Sequence, residues 1–270
     1  ADRLREITRA SDTAARVARF RALHRAPGAF VMPNPWDAGS AKALAGLGFL
    51  ALATSSGASA GVLGRRDGQV SRDEALAHVR LIVQSTDLPV SADLEKGFGD
   101  DPDTVSQTLA LAGETGLAGA SIEDASGDPS HPIFDFTLAV ERIAAAAEAV
   151  RRLQVPLVLT ARTENFLHGR ADLDDTIRRL QAFEKAGAEV LFAPGLPDLA
   201  AVRAVCQAVS APVNFMAGIK GKSFSVPELE QAGIKRVSVA SSFYRAAMAA
   251  LRDAATEVRD HGSFGYLDRI

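Results

Sequence analysis

A single (β/α)8 TIM-type α/β barrel over residues 1–270 is the fold this sequence predicts, and three observations predict it. Apolar runs of about five residues alternate with amphipathic stretches of about ten to sixteen, on a period of about thirty. Eight such runs occur, which is the strand number of that barrel. The phrases LAGETGLAG, FEKAGAEV and LEQAGIKRV each pass from a helix end through glycine into a strand, as a βα array requires. A chain of 270 residues, 47% of them hydrophobic, can bury the core in one domain.

In chain order, a helical pattern over 11–25 comes first. Strands are expected at 30–33, 50–54, 89–92, 119–122, 157–160, 190–193, 212–215 and 236–239, each short, apolar and bounded by turn residues. Asp37 reads as an N-terminal helix residue. Asp101-Pro102-Asp103 opens a helix over 104–116, because proline fits the first turn, where its missing N–H costs nothing. Asp172 opens another that closes at Ala186-Gly187. The last helix, 244–259, is rich in Ala and Arg and leads to a tail over 263–270.

Composition narrows the partner. The formal net charge is −3, with acids and bases spread along the chain, so there is no basic stripe for nucleic acid and a small molecule is expected. A lone Cys206 excludes an intrachain disulfide framework. No apolar run approaches the ~20 residues of a membrane helix. The charged start Ala1-Asp-Arg-Leu-Arg-Glu lacks the apolar segment of a secretory signal, so a cytoplasmic location is expected.

Strands buried on both faces read as unbroken aliphatic runs, so charges at their ends need a reason. Asp93 and Glu95 follow the third strand and share one face of an extended segment. Glu123 ends the fourth and Arg162 the fifth. Converging at the C-terminal rim, these carboxylates suit Mg²⁺, or Mn²⁺, with water completing the shell. Ion pairing with nearby Arg or Lys is the competing account. Arg162 fits a carboxylate bidentately, or pairs with Glu164 or Glu123. Ser56-Gly57-Ala58, after the second strand, offers backbone N–H groups to an anion, or is only a polar loop. Asn214, inside the seventh strand, is either a ligand contact or a structural amide. Asp67 reads as a surface turn by spacing alone.

These motifs, in order, resemble the isocitrate lyase/phosphoenolpyruvate mutase superfamily. The resemblance runs through Ser56-Gly57-Ala58, Gly64-Arg-Arg-Asp67-Gly68, Asp93-Leu-Glu95-Lys-Gly97-Phe-Gly99, Gly119-Ala-Ser-Ile-Glu123-Asp124 and Thr160-Ala-Arg162-Thr-Glu164. It implies a Mg²⁺-dependent enzyme that makes or breaks a bond to the methylene carbon of a 2-oxo acid enolate. Asp93 would hold the metal directly, and Glu95 and Glu123 through water. The Ser56, Gly57 and Ala58 backbone and Arg162 would hold the substrate carboxylate, and Asp67 would lie on a mobile segment near the reacting atoms. It also implies a modified barrel, a homo-oligomeric dimer or tetramer, with the last helix exchanged between subunits.

The loop after the fourth strand departs from that pattern. Lyases of the superfamily carry Lys-Lys/Arg-Cys-Gly-His there and mutases lysine and asparagine, whereas this loop reads Asp124-Ala-Ser-Gly-Asp128-Pro-Ser-His131-Pro-Ile-Phe134. His131 is its only group titrating near neutrality, a candidate general acid/base or a surface histidine. Cys206 lies on a helix away from the strand ends. The expected activity is a carbon–carbon lyase on a small di- or tricarboxylate, by decarboxylation or aldol-type cleavage. A non-catalytic 2-oxo acid binding protein is the alternative, and phosphonate mutase chemistry ranks lower. No lysine lies in a strand to form a Schiff base; Lys220 falls in a Gly-rich loop.

Overall fold

The computed structural model describes residues 2–270, with side chains described from residue 12 onward. Eight parallel strands form the sheet: β1 (Phe30–Met32), β2 (Leu52–Ala53), β3 (Val90–Asp93), β4 (Gly119–Glu123), β5 (Val158–Arg162), β6 (Val190–Phe192), β7 (Val213–Met216) and β8 (Arg236–Ser238). Each overlaps one expected run, with ends displaced by at most two residues. The helices are α1 (Asp2–Arg25), α2 (Ala38–Gly46), α3 (Ser56–Val62), α4 (Arg72–Gln84), α5 (Pro102–Gly113), α6 (Phe136–Arg152), α7 (Leu173–Ala186), α8 (Leu199–Ala208), α9 (Val226–Gln231) and α10 (Ser242–His261). None of the described helices is long and apolar enough to cross a membrane.

Local chemistry sets the helix boundaries. Asp37, Asp101, Asp172 and Asp198 each cap a helix by accepting a backbone N–H three residues on, and Pro102 occupies the first turn of α5. The helix expected to reach 116 stops at Gly113, because the turn before β4 uses the remaining residues. Gly187 closes α7 at φ 113°, a conformation that favours glycine.

Paired ladders run from β1 through β8 and back to β2, but no ladder joins β1 to β2. A side chain closes that seam. The buried Asn34 donates from Nδ2 to Thr54 O at 2.9 Å and accepts from Val239 N at 2.9 Å, and Ala53 N donates to Pro33 O at 3.0 Å. The amide supplies bonds that the short strands leave unmade.

Two apolar cores hold the barrel. One lies between sheet and helices and includes Ile82, Leu109, Ile122, Ile143, Leu159, Leu180, Phe183 and Val205. The other plugs the N-terminal end of the barrel, where Val17 and Phe20 of α1 pack on Phe30, Val158 and Val190. Gly119 permits that plug, since a Cβ there would stand 2.7 Å from Phe20 Cε1. The cavity described below lies on the opposite side of that plug, at the C-terminal ends of the strands. α10 runs off the barrel and buries none of its residues, leaving Phe243, Met248, Leu251 and Val258 exposed.

Candidate active site

The C-terminal ends of the strands carry the charge. Arg162, at the end of β5, is largely buried, stacks 5.0 Å from the Phe192 ring and faces three carboxylates. It pairs with Glu164, with Glu123 at 3.4 Å and with Asp93 at 3.6 Å. Burial alone would lower its pKa, but Glu164, Glu123 and Asp93 outweigh that and raise it. The registry explains the convergence: Glu123 and Arg162 are directly opposed on β4 and β5, and Asp93 pairs with Ser121, two residues before Glu123.

The acids outnumber the cation. Burial pushes the Glu95 carboxyl up to about 7, reinforced by Asp93 and Asp67. Burial also raises Glu123 well above the usual range, with Glu164 and Asp93 adding repulsion and Arg162 opposing. Asp67 is raised by burial and by Asp93, against a hydrogen bond with Ser56. Five carboxylates, Asp67, Asp93, Glu95, Glu123 and Glu164, therefore gather around Arg162.

That donor set fits a hard divalent cation held partly through water. Among the described residues no three His, Cys, Asp or Glu side chains converge into a ready metal cage. Arg162 stands between Asp93 and Glu123, so a direct ligand plus water-mediated ones is the arrangement these oxygens allow. Such a cation would offset both the burial that raises Glu95 and the repulsion that Asp93 and Asp67 add to it.

Beside the cluster lies a cavity of about 190 Å³, lined by Ser56, Gly57, Asp67, Asp93, Arg162, Asn214 and Arg236 among others. Asp67 belongs to its wall rather than to a remote turn. Its Oδ2 would lie 3.2 Å from a Cβ on Gly57, a tight contact that glycine relieves where the Gly64–Gly68 loop comes close. Ser56 N donates to Asp93 Oδ2 at 3.1 Å, and Ala58 N donates to Ser55 Oγ at 3.4 Å inside α3. Ser56 and Gly57 border the cavity, while Ala58 is buried behind them. Asn214 also faces the cavity, but it donates to Ser238 Oγ and accepts from Arg236 Nε.

The loop bearing Glu95 is held from behind. Glu95 and Phe98 have φ of 50° and 61°, sparsely populated values for these residue types. Arg142 of α6 keeps the loop there by donating to the carbonyls of Lys96, Gly99 and Asp100 while stacking 4.2 Å from Phe134. The 124–134 loop folds on itself instead of over the cavity: Ala125 bridges Ile133, and Phe134 N donates to Asp124 O at 2.8 Å. His131 points to solvent, its side chain 86% exposed and 3.7 Å from Asp128. The Cys206 thiol is pushed up to about 11 by burial on α8, and Gly233 packs against it.

Sequence reasoning missed Arg236 and Arg142. A charge opening a buried strand signals Arg236 by the rule that singled out Asp93 and Arg162. Arg142 gives no such signal, since arginine on an amphipathic helix is ordinary.

Four similarities bear on this arrangement. The sequence profile of the phosphoenolpyruvate phosphomutase family matches residues 20–259. The 2-methylisocitrate lyase of Escherichia coli is 31% identical over 216 residues, covering 77% of this chain and 72% of that one. The oxaloacetate decarboxylase of Bradyrhizobium diazoefficiens is 31% identical over 205 residues, covering 72% and 68%. A crystal structure from Burkholderia cenocepacia, described broadly as a lyase/mutase, superposes with a TM-score of 0.94 at 51% identity, covering 96% and 93%.

Proposed function

The chain belongs to the phosphoenolpyruvate phosphomutase family, within the isocitrate lyase/phosphoenolpyruvate mutase superfamily, and on that premise we propose that it is a Mg²⁺-dependent carbon–carbon lyase acting on a small di- or tricarboxylate through a 2-oxo acid enolate. The observation that carries this reading is the excess of carboxylates around Arg162 beside an open cavity. A divalent cation, Mg²⁺ or Mn²⁺, held by Asp93 and, through water, by Glu95 and Glu123 would supply Lewis acidity to a 2-oxo acid.

The protein's own groups do the rest. Arg162, locked by its carboxylates, presents fixed positive charge, and Ser56 and Gly57 border the same space with backbone dipoles. Asp67, with its raised pKa and its contact with Ser56, is the carboxyl placed to hold or move a proton at the reacting carbon. Asn214 orients the substrate from β7. His131 has no such placement, being exposed on a loop that does not line the cavity.

The cavity is small. At ~30 Å³ per water it holds the equivalent of about six waters, which suits a compact carboxylate. The Escherichia coli relative is a 2-methylisocitrate lyase and the Bradyrhizobium relative an oxaloacetate decarboxylase, which supports keeping both subclasses. The exposed apolar residues of α10 support a homo-oligomer in which this helix packs on a second copy.

The test is turnover. Purified protein is assayed with oxaloacetate, isocitrate and 2-methylisocitrate in Mg²⁺ and again after chelation. Release of a 2-oxo acid from at least one, abolished by chelator and restored by Mg²⁺, is expected. Folded protein that binds oxalate with Mg²⁺ and turns over none of the three would be a non-catalytic 2-oxo acid binding protein.

A further inference from the structure

We propose that Arg236, at the floor of the cavity, is a second anion subsite that recognises the remote carboxylate of a dicarboxylate substrate. The proposal rests on the reading above for where the 2-oxo acid end binds.

Two arginines line the cavity, and they differ in charge balance. Arg162 faces three carboxylates. Arg236, only 2% exposed, has neutral partners alone: Asn214 Oδ1 at 2.8 Å, Thr160 Oγ1 at 3.1 Å and His24 Nε2 at 3.3 Å. No described carboxylate pairs with it. A guanidinium carries five N–H donors, so these contacts leave part of its capacity unused. Burial without a counterion also lowers its pKa to about 9. An unpaired buried charge is costly, and a fold that keeps one at a cavity wall is complete only when an anion arrives.

The surroundings say from where. Beneath the guanidinium is the apolar plug, with Phe20 at 6.0 Å and Phe30, Val158 and Val190 in the same cluster. The cavity wall it shares carries the small polar side chains Ser91, Ser121, Asn214 and Ser238 among apolar ones such as Met32 and Phe192. His24 cannot serve as the counterion, being neutral. The cavity is the side on which Arg236 itself forms part of the wall, and there an anion would meet it.

The spacing suits one molecule. Arg236 Nη2 bonds Thr160, two residues below Arg162 on β5. At ~3.3 Å per residue the Cα positions of Thr160 and Arg162 lie ~6.6 Å apart along the strand. A rise of that order suits a dicarboxylate of four or five carbons, whose far carboxylate would rest on Arg236 while its near end lies at Asp93 and Arg162. Stabilising the far carboxylate as an anion opposes its loss as carbon dioxide, so it serves as a recognition group that remains in the product.

The experiment measures binding of succinate and of oxalate by calorimetry in Mg²⁺, for the unaltered protein, Arg236→Met and Arg236→Lys, with Thr160→Val as a variant that removes one neutral acceptor and keeps the charge. Succinate binding is expected to weaken at least about thirtyfold in Arg236→Met and less in Arg236→Lys and Thr160→Val, while oxalate binding holds. Equal succinate affinity in the unaltered protein and Arg236→Met overturns the proposal. So does a rise in melting temperature with chloride or inorganic phosphate that matches the rise with succinate and depends equally on Arg236, which would make the floor a free-anion site. Failure of oxalate to bind counts against the functional reading instead, and the succinate comparison then still decides for or against Arg236. Should Arg236→Met fail to fold, the same comparison is read from Arg236→Lys, where an unchanged ratio of succinate to oxalate affinity overturns the proposal.

Discussion

His24 Nε2 accepts a hydrogen bond from Arg236 Nη1 at 3.3 Å across the barrel floor, while His24 Nδ1 lies 2.7 Å from Phe20 O. A ring nitrogen facing a guanidinium must offer a lone pair and one facing a carbonyl must donate, so the network assigns the Nδ1–H tautomer. Burial, with the Arg236 charge beside it, pushes the His24 pKa down to about 3.

This neutral histidine makes stability sensitive to acid. Its folded pKa lies below the unfolded value near 6.5, so between those values the unfolded chain binds a proton that the folded chain does not. The contribution is present above about pH 6.5 and is lost as pH falls toward 3. His24→Gln should therefore reduce the stability lost between pH 7 and pH 4 by about 3 kcal/mol, measured by urea unfolding at both pH values. Glu95 and Glu123, whose raised pKa values act in the opposite sense, are common to both proteins and cancel in the comparison. Identical acid sensitivity would show that His24 is not held neutral.

Gly57→Ala tests the approach of the Asp67 loop. The new Cβ would meet Asp67 Oδ2 at 3.2 Å and push that carboxylate aside by a few tenths of an ångström. Since α3 is undisturbed elsewhere, stability should change little while kcat/KM falls about ten- to a hundredfold. Asp67→Asn should lower kcat in the same range, and the double variant should be no worse than either alone if both act through this carboxylate.

Asp124 is buried to 2% and accepts from Thr163 Oγ1 at 2.9 Å, Glu164 N at 2.8 Å and Arg179 Nη1 at 3.2 Å. It fixes the segment after β5 and with it the Glu164 carboxylate that pairs with Arg162. Removing it takes one of two carboxylate partners from the buried Arg179, which keeps Asp175 and the Phe134 carbonyl, and leaves the Glu164 N–H and the Thr163 hydroxyl without their acceptor. Asp124→Ala should cost about 3 kcal/mol or more in unfolding free energy, read from the denaturant midpoint at constant slope.

Met248, Leu251 and Val258 recur at three- and seven-residue spacing along α10. Leu251, 59% exposed, is the clearest probe. Leu251→Glu should shift sedimentation from an oligomer to a single chain with unchanged circular dichroism. An unaltered protein that already sediments as one chain at micromolar concentration would refute the packing of α10 on a second copy.

Much of the barrel was legible because its signals are local. An Asp or Ser cap, a glycine at the helix end and a short apolar run act within a few residues, and all eight strands lie where these signs put them. The seam is different. Asn34 closes β1 to β2 through bonds to Thr54 and Val239, partners 20 and 205 residues away. Gly119 looks like an ordinary strand-opening glycine until Phe20 of α1 is found beneath it.

The site divides in the same way. Asp93, Glu95, Glu123 and Arg162 could be read from the sequence because charge is out of place at the ends of doubly buried strands. Asp67 looked like a surface turn, since a loop contact with Gly57 leaves no mark on periodicity, and only the resemblance put it near the chemistry. His131 was the natural titrator by type, and its exposure follows from the Ala125–Ile133 bridge that turns its loop away.

The sequence by itself determined the repeating βα pattern and which strand ends carry charge, because propensity and patterning are properties of neighbouring residues. Only the tertiary structure decided which charges are answered. Arg162 meets three acids from three chain segments, and Arg236, 74 residues later, meets none of the described acids, because the strand register and the α1 plug place one at the crowded rim and the other on an apolar floor facing the cavity.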